Sequence, residues 1–222
     1  MAMSRRIFVA ALPAFLGGCA STLQRSQVQS PHLLPHYVNM YAAINDEPFP
    51  IPAPDLSKID PQFYRQEVAY NSGHAPGTIV VDTHDRFLYL QQENDRALRY
   101  GIGVGKAGLE FAGIGVVQHK RAWPRWTPTP NMIAREPERN LPWKNGMEPG
   151  PSNPMGARAL YLYRNGRDTL YRIHGTNEDW SIGKSISSGC IRLLNPDIID
   201  LHRRVPDGTR VVVLQRGADT VA

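Results

Sequence analysis

The chain has 222 residues, of which 41% are hydrophobic and 20% charged, and its formal net charge is +5. This length accommodates one core, or one core with a small appendage, since single β-rich domains reach about 250 residues. No cluster of Lys and Arg with interleaved aromatic residues occurs, so the sequence argues against nucleic acid as a partner. The mild positive excess suits an anionic partner.

The N-terminal residues 1–18 have the pattern of a secretory signal peptide. Its first six residues form a short segment with two basic residues, Arg5 and Arg6, and the apolar run 7–16 is too short to span a bilayer. Residues 16–19, Leu-Gly-Gly-Cys, are similar to a bacterial lipobox, so we expect lipid on Cys19 and a membrane anchor. The alternative is an ordinary signal peptide that is discarded together with this cysteine.

Export is therefore expected, with a periplasmic location and most simply as a membrane-anchored lipoprotein. The pair Arg5-Arg6 also resembles a twin-arginine signal, and the choice between Sec and Tat export stays open. Removal of the signal peptide would take Arg5 and Arg6 with it and lower the formal charge to +3, because 23 basic and 20 acidic residues remain.

Residues 19–76 follow as a Pro-rich segment without sustained periodicity. Their composition predicts a tether and a wrapping arm around the folded unit. After residue 76 the sequence consists of short runs of residues that favour β-strands, separated by residues that favour turns. We therefore place the folded domain at 77–216 and a short tail at 217–222.

The strands of this domain are predicted from five runs and one hairpin turn. The runs are 78–82, 87–90, 98–102, 159–163 and 170–174. Asn165-Gly166 joins the last two as a strong hairpin signal, because both residues accept positive φ. A helix is predicted to begin after Asn195, as its cap, with Pro196 in the first helical position, and a final strand covers 209–214. The pattern predicts a mainly β fold.

Between residues 122 and 153 lies a long stretch with little periodicity, many prolines and three tryptophans, Trp123, Trp126 and Trp143. Long ordered loops are often functional, as lids or binding rims. We expect either a segment that covers a substrate or a rigid surface loop that its tryptophans anchor.

Two segments hold the densest set of reactive side chains, His174 to Asn177 and Ser187 to Arg192. Cys190 has no cysteine partner if Cys19 is lipidated or removed, and an exported protein that keeps a lone thiol suggests catalysis, although a buried inert cysteine is the simpler alternative. A nearby imidazole can take the thiol proton, which makes His174 the candidate base. Gly189 permits close approach of a substrate, and the Cys190 N–H can stabilise an oxyanion.

These motifs resemble the L,D-transpeptidase, or YkuD-type, family, whose signature is His-Gly-Thr, a spacer and Ser-x-Gly-Cys-x-Arg. The resemblance covers residues 77–216 and includes the stretch 153–161, Asn-Pro-Met-Gly-Ala-Arg-Ala-Leu-Tyr. It implies a β-sandwich or barrel with one or two short helices. Family members often have histidine two residues before the cysteine, where this chain has Ser188.

The resemblance implies that Cys190 is the acyl-forming nucleophile and His174 its base. Oxyanion or supporting roles are expected for Ser187, Ser188, Gly189 and Arg192, and substrate contacts for Gly175, Thr176, Asn177 and Arg192. Arg192 could instead satisfy local carbonyl groups. We expect no cofactor, and no metal, since no cluster has zinc-ligand spacing.

The implied substrates are the tetrapeptide stems of peptidoglycan. The acyl group would pass to a second stem as a 3→3 cross-link, to an amine of an envelope protein, or to water as in an L,D-carboxypeptidase. A non-catalytic peptidoglycan-binding lipoprotein, or a hydrolase that cleaves protein-to-wall linkages, is the alternative.

Overall fold

The computed structural model describes residues 30–105, 111–186 and 190–214. The predicted signal segment, Cys19 and residues 187–189 lie outside the described residues. Within them, eleven strands form one sheet. The strands are β1 (Gln66–Ala69), β2 (Ile79–Asp82), β3 (Phe87–Gln91), β4 (Arg96–Gly101), β5 (Gly103–Gly105), β6 (Gly113–Ala122), β7 (Arg158–Arg164), β8 (Arg167–His174), β9 (Ser185–Ile186), β10 (Ile191–Arg192) and β11 (Arg210–Leu214).

The sheet curls strongly around its core. Its strand order is β1-β4-β3-β2-β11-β6-β7-β8-β10-β5-β9. Only Ile102 separates β4 from β5 along the chain, yet these strands stand second and tenth in the order. Because adjacent Cα atoms are about 3.8 Å apart, the two ends of the sheet must meet there. The buried cluster that the sheet encloses contains Ile79, Leu88, Leu160 and also Cys190.

The predicted strands and the predicted hairpin are confirmed. Antiparallel β7 and β8 are joined at Asn165 and Gly166, whose φ angles are 52° and 74°. Positive φ at both central residues is the geometry that matches the twist of the flanking strands. This hairpin carries His174 to the end of β8.

Four α-helices lie in the described ranges: α1 (Pro35–Met40), α2 (Pro130–Arg135), α3 (Pro137–Asn140) and α4 (Asn195–Arg204). Single turns of 3-10 helix occur at Pro31–Leu33, Leu56–Lys58, Pro61–Phe63, Leu141–Trp143 and Asp179–Ser181. The prediction of a mainly β fold with few short helices is confirmed. None of the helices in this part of the chain has the length and apolar character needed to cross a membrane.

The prediction that Asn195 caps α4 is wrong. The helix begins at Asn195, Leu194 precedes it, and no side chain makes a cap hydrogen bond. The Asn195 side chain instead binds backbone groups of two other segments, accepting from Ala157 N and donating to Thr176 O. A local pattern suggested a cap, and tertiary contacts decided otherwise.

The residues before β2 pack closely on the domain. Tyr41 and Tyr64 are almost fully buried, in an apolar cluster that also holds Leu194. The Tyr41 hydroxyl donates to Asp197 of α4 (3.2 Å) and accepts from the backbone N–H of Arg65 (2.6 Å). We call residues 30–70 the arm. The predicted boundary between a Pro-rich segment ending at 76 and a domain beginning at 77 stays a prediction.

Asp197 is the buried charge at the centre of this contact. Burial raises its pKa to about 7, although Arg65, whose Nε lies 3.7 Å from the carboxylate, acts in the opposite direction. Arg65 also pairs with Asp200 at 2.9 Å. The arm therefore supplies both the hydroxyl and the guanidinium group that face the Asp197 and Asp200 carboxylates of α4.

The arm also holds the start of the 122–153 segment. Glu47 accepts from the Trp123 indole N–H (2.9 Å) and from Arg158 (2.5 Å), and Phe49 packs edge-on against Trp123. Trp123 has a φ of 45°, a conformation that costs a bulky residue free energy unless its surroundings hold it. Glu47 and Phe49 provide that hold.

Candidate active site

His174 ends β8, and Cys190 directly precedes the neighbouring parallel strand β10. Residues Ile191 and Arg192 of β10 pair with Ile173 and His174 of β8. Both reactive side chains line one cavity of about 860 Å³. The parallel register therefore brings together the two residues that the sequence singled out, sixteen positions apart.

The imidazole of His174 is buried and oriented by a backbone carbonyl. Its Nδ1 lies 2.6 Å from the Gly175 oxygen. A carbonyl only accepts hydrogen bonds, so Nδ1 carries the proton and Nε2 keeps the lone pair. Burial first, and then the positive charge of Arg192, lower the pKa of His174 from 6.5 to about 4. The imidazole is thus neutral near pH 7, with Nε2 ready to accept a proton.

The thiol of Cys190 has a backbone acceptor at Leu170, with Sγ 3.7 Å from the carbonyl oxygen. Between the pairs Tyr161↔Arg172 and Tyr163↔Asp168, β8 advances four residues where β7 advances two. Leu170 lies in this bulge with a φ of 60°. Bulges commonly re-aim groups beside active sites. Because only the protonated thiol can donate, this contact favours a neutral thiol.

Arg192 is buried and forms an ion pair with Glu178. Glu178 also lies 3.4 Å from Arg139 of α3, so it links the floor of the cavity to the 122–153 segment. The sequence predicted local carbonyls or a substrate carboxylate as the partner of Arg192 and missed Glu178. No local pattern marks this pair, because the two residues are fourteen positions apart and meet through the sheet.

The segment after His174 is divided between the cavity and the protein interior. Asn177 lines the cavity, whereas Gly175 and Thr176 do not. Thr176 is 1% exposed, and its hydroxyl accepts from the Glu178 backbone N–H at 3.0 Å. The predicted substrate contact is therefore compatible with the placement of Asn177, while the other two residues act as backbone support. Ser187, Ser188 and Gly189 lie outside the described residues.

The 122–153 segment forms one side of the cavity. Trp123 is buried as an anchor, while Trp126 and Trp143 line the cavity. The lining side chains from this segment include Arg125, Met132, Arg135, Arg139 and Asn140. The anchoring expectation thus applies to Trp123, and a covering role of the segment stays a prediction.

Metal-type ligands gather elsewhere in the described ranges. Asp82, His84 and Asp85, at the turn between β2 and β3, have ligand atoms within 4.8 Å of one another. The Asp82 carboxylate accepts from the backbone N–H groups of the other two residues, at 2.9 and 2.8 Å, and so closes a turn. None of the three lines the cavity. This cluster is explained as turn structure.

Comparison with known proteins identifies the family. Residues 76–213 match the family model of the L,D-transpeptidase catalytic domain, YkuD. The chain belongs to this family. L,D-transpeptidases are cysteine acyltransferases, and the predicted family resemblance and transferase class are confirmed.

Relatives in Escherichia coli strain K12 have names that agree with the family model. The chain is 38% identical to the probable L,D-transpeptidase ErfK/SrfK over 142 residues, which are 63% of this chain and 44% of that protein. It is 38% identical to the probable L,D-transpeptidase YbiS over 137 residues, 61% of this chain and 43% of that protein. The L,D-transpeptidase match thus spans less than half the length of these relatives.

A solved structure from Brucella melitensis is also similar. It is 52% identical, covers 72% of this chain and 99% of its own, and superposes with a TM-score of 0.50. That protein is described as a probable carnitine operon oxidoreductase. Its description differs from the names of the Escherichia coli L,D-transpeptidases, and family membership here rests on the family model.

Proposed function

We propose that this chain is an L,D-transpeptidase that acts on the tetrapeptide stems of peptidoglycan through a thioester on Cys190. The observation that carries the proposal is the cavity that the Cys190 thiol and the His174 imidazole share, beside the paired strands β10 and β8. The hydrogen bond from Nδ1 to the Gly175 carbonyl supports it, since it leaves Nε2 as the proton acceptor.

In the first half-reaction, Sγ attacks the carbonyl carbon of the third stem residue as its proton passes to His174. A C–S bond forms, the peptide bond to the terminal D-alanine breaks, and the imidazolium returns the proton to the departing amine. The Leu170 contact, which favours a protonated thiol, and the neutral imidazole support a proton transfer during attack. Amide groups near Cys190 are the proposed donors to the oxyanion.

In the second half-reaction, an acceptor attacks the thioester and releases the thiol. An amine of another stem gives a 3→3 cross-link, an amine of an envelope protein gives a protein-to-wall link, and water gives a carboxypeptidase. In each case a bond to the acceptor forms, the C–S bond breaks, and the acceptor proton returns to sulfur through His174.

The charges of the cavity support an anionic substrate. Five arginines line it, and Glu178 is the carboxylate among its described lining residues; the arginines are Arg125, Arg135, Arg139, Arg172 and Arg192. Their other acidic partners, Glu136, Glu148 and Asp168, do not line the cavity. Guanidinium groups are well suited to carboxylates, which a stem peptide carries at several positions.

A second candidate, a non-catalytic wall-binding protein, is motivated by Ser188 in place of the histidine that family members often have. It requires the same cavity and predicts binding of muropeptides without release of D-alanine. A hydrolase of protein-to-wall linkages would use the same two reactive residues. The substrate test below separates the binding protein from the enzymes.

The test is incubation of the purified protein with a diaminopimelate-containing tetrapeptide, followed by measurement of released D-alanine and of intact protein mass. We expect a thioester adduct on Cys190, no adduct and no release with Cys190→Ala, and a rate about 10²–10⁴-fold lower with His174→Ala, the usual worth of a general base. His84→Ala, at an exposed histidine outside the cavity, is the matched control. Undiminished release by the Cys190 variant would refute the mechanism.

We also propose that the protein is exported and held at a membrane by lipid on Cys19, so that the cavity meets peptidoglycan in the periplasm. The basic and apolar run that ends in Leu-Gly-Gly-Cys supports this proposal.

A further inference from the structure

Asn195, the first residue of α4, connects three segments of the active-site framework. Its Oδ1 accepts from the backbone N–H of Ala157 at 2.9 Å, before β7. Its Nδ2 donates to the carbonyl of Thr176 at 3.0 Å, after β8. Both ends of this side-chain amide are thus used by backbone groups that lie 38 and 19 residues away along the chain.

The Asn195 amide lies so close to the backbone at positions 156 and 175 that only glycine fits there. A Cβ at Gly175 would lie 2.3 Å from the Asn195 Oδ1, and a Cβ at Gly156 would lie 2.4 Å from the same atom. Gly156 has a φ of 63°, which glycine adopts at little cost. The Asn195 amide is therefore packed directly on the backbone of both loops.

This packing lies next to the group that orients the base. The Gly175 carbonyl accepts from His174 Nδ1, and the following carbonyl, of Thr176, is the one that Asn195 holds. On the other side, the Gly175 N–H donates to the Arg158 carbonyl at 3.0 Å. The backbone is thus held on both sides of the Gly175 carbonyl, by Arg158 before it and by Asn195 after it.

We propose that Asn195 is a positioning residue, which fixes the Gly175–Thr176 backbone and through the Gly175 carbonyl sets the tautomer and direction of the His174 ring. The inference rests on the proposed role of His174 as base. Without Asn195 the backbone can rotate, the Nδ1–H loses its acceptor, and the lone pair no longer stays on Nε2.

The kinetic test uses alkylation of Cys190 by iodoacetamide, which needs no natural substrate. We expect Asn195→Ala to lower the alkylation rate about tenfold to a hundredfold, a part of the general-base contribution. In a His174→Ala background the same change should have no further effect, because Asn195 acts through the imidazole. Equal rate losses from Asn195→Ala in both backgrounds would overturn the proposal.

The second readout is the nitrogen chemical shifts of the His174 ring. We expect a protonated Nδ1 and an unprotonated Nε2 in the wild type, and a mixture of tautomers in Asn195→Ala. Asn195→Asp preserves shape and the acceptor for Ala157 N but loses the donor to Thr176, and should give the same mixture. If Asn195→Ala does not fold, Asn195→Asp serves as the test. Wild-type ring shifts in Asn195→Asp would overturn the proposal.

Tyr41→Phe is the matched control, because it loosens the same helix through Asp197 without touching either loop. It should keep the wild-type tautomer. A mixture of tautomers in this control would show that any loosening of α4 has the same effect, and would overturn a specific role for Asn195. The ring shifts do not depend on turnover. If His174→Ala alone does not lower the alkylation rate, the proposed function is contradicted. The ring shifts would still test the positioning role of Asn195.

Discussion

Burial and the guanidinium groups near His174 set the protonation of the site. Because the pKa of His174 is lowered to about 4, the imidazole is neutral throughout the range in which most enzymes work. The contact of the Cys190 thiol with the Leu170 carbonyl favours the protonated thiol. These contacts favour a neutral pair over the thiolate–imidazolium pair of many cysteine enzymes.

Because the pKa of His174 is low, we expect protonation of His174 to limit the rate of Cys190 acylation only at acidic pH. His174 accepts a proton only when it is neutral, that is, above its pKa. The rate of acylation by a carbapenem should therefore not change with pH near 6.5, and it should fall as the pH drops through about 4 and His174 becomes protonated. Single-turnover mass spectrometry across this range checks it. Arg192→Gln removes a positive charge and should move the acid limb upward.

A limb centred at 6.5 in the wild type would contradict this expectation. Unfolding must be excluded in parallel by circular dichroism, since the unfolded state binds the His174 proton at about 6.5 and the folded state at about 4. The contribution of this residue to stability is therefore lost as pH falls from 6.5 to 4.

At the level of elements, α4 depends on the arm. Tyr41, in the arm, has its hydroxyl between the Asp197 carboxylate and the Arg65 N–H, inside an apolar cluster. A buried polar group that loses its partner costs about 1–3 kcal/mol. The buried Asp197 of α4 thus has hydrogen-bond and ion-pair partners that lie outside the family match at 76–213.

Tyr41→Phe should accordingly lower the free energy of unfolding by about 1–3 kcal/mol, because it leaves two buried groups without this hydroxyl. Urea unfolding followed by tryptophan fluorescence measures it. Tyr37→Phe, in α1, which ends just before Tyr41, is the control because Tyr37 is only partly buried, and it should change stability by less than about 0.5 kcal/mol. Equal losses in the two variants would argue against the Asp197 contact as the cause.

Strands and the catalytic pair were predictable because their signals are local. Asn165-Gly166 fixed the hairpin, and the linked motifs around His174 and Cys190 fixed the candidate site. Glu178, Asn195 and Glu47 were missed in their roles because their partners are distant in sequence. An Asn-Pro pair is the usual signal of a helix start, so Asn195 was assigned to the cap on a pattern that does not report tertiary contacts.

For the whole molecule, the proposed membrane anchor depends on Cys19. We expect a diacylglyceryl adduct on this residue in the membrane fraction, since a thiol after Leu-Gly-Gly is the lipidation pattern. Intact mass of the purified protein tests it. Cys19→Ala should move the protein to the soluble fraction while D-alanine release by the purified variant is retained. An unmodified cysteine, or its absence from the mature chain, would end the lipoprotein proposal.

The position of β11 has a consequence for biosynthesis. It is the last strand of the described residues, yet it lies in the middle of the sheet, parallel to β2 and antiparallel to β6. A nascent chain that lacks it exposes two open strand edges, which attract other unpaired strands. The ribosome must therefore release the chain through β11 before the sheet can close, and a translation product truncated before β11 is expected to aggregate instead of presenting a reactive thiol.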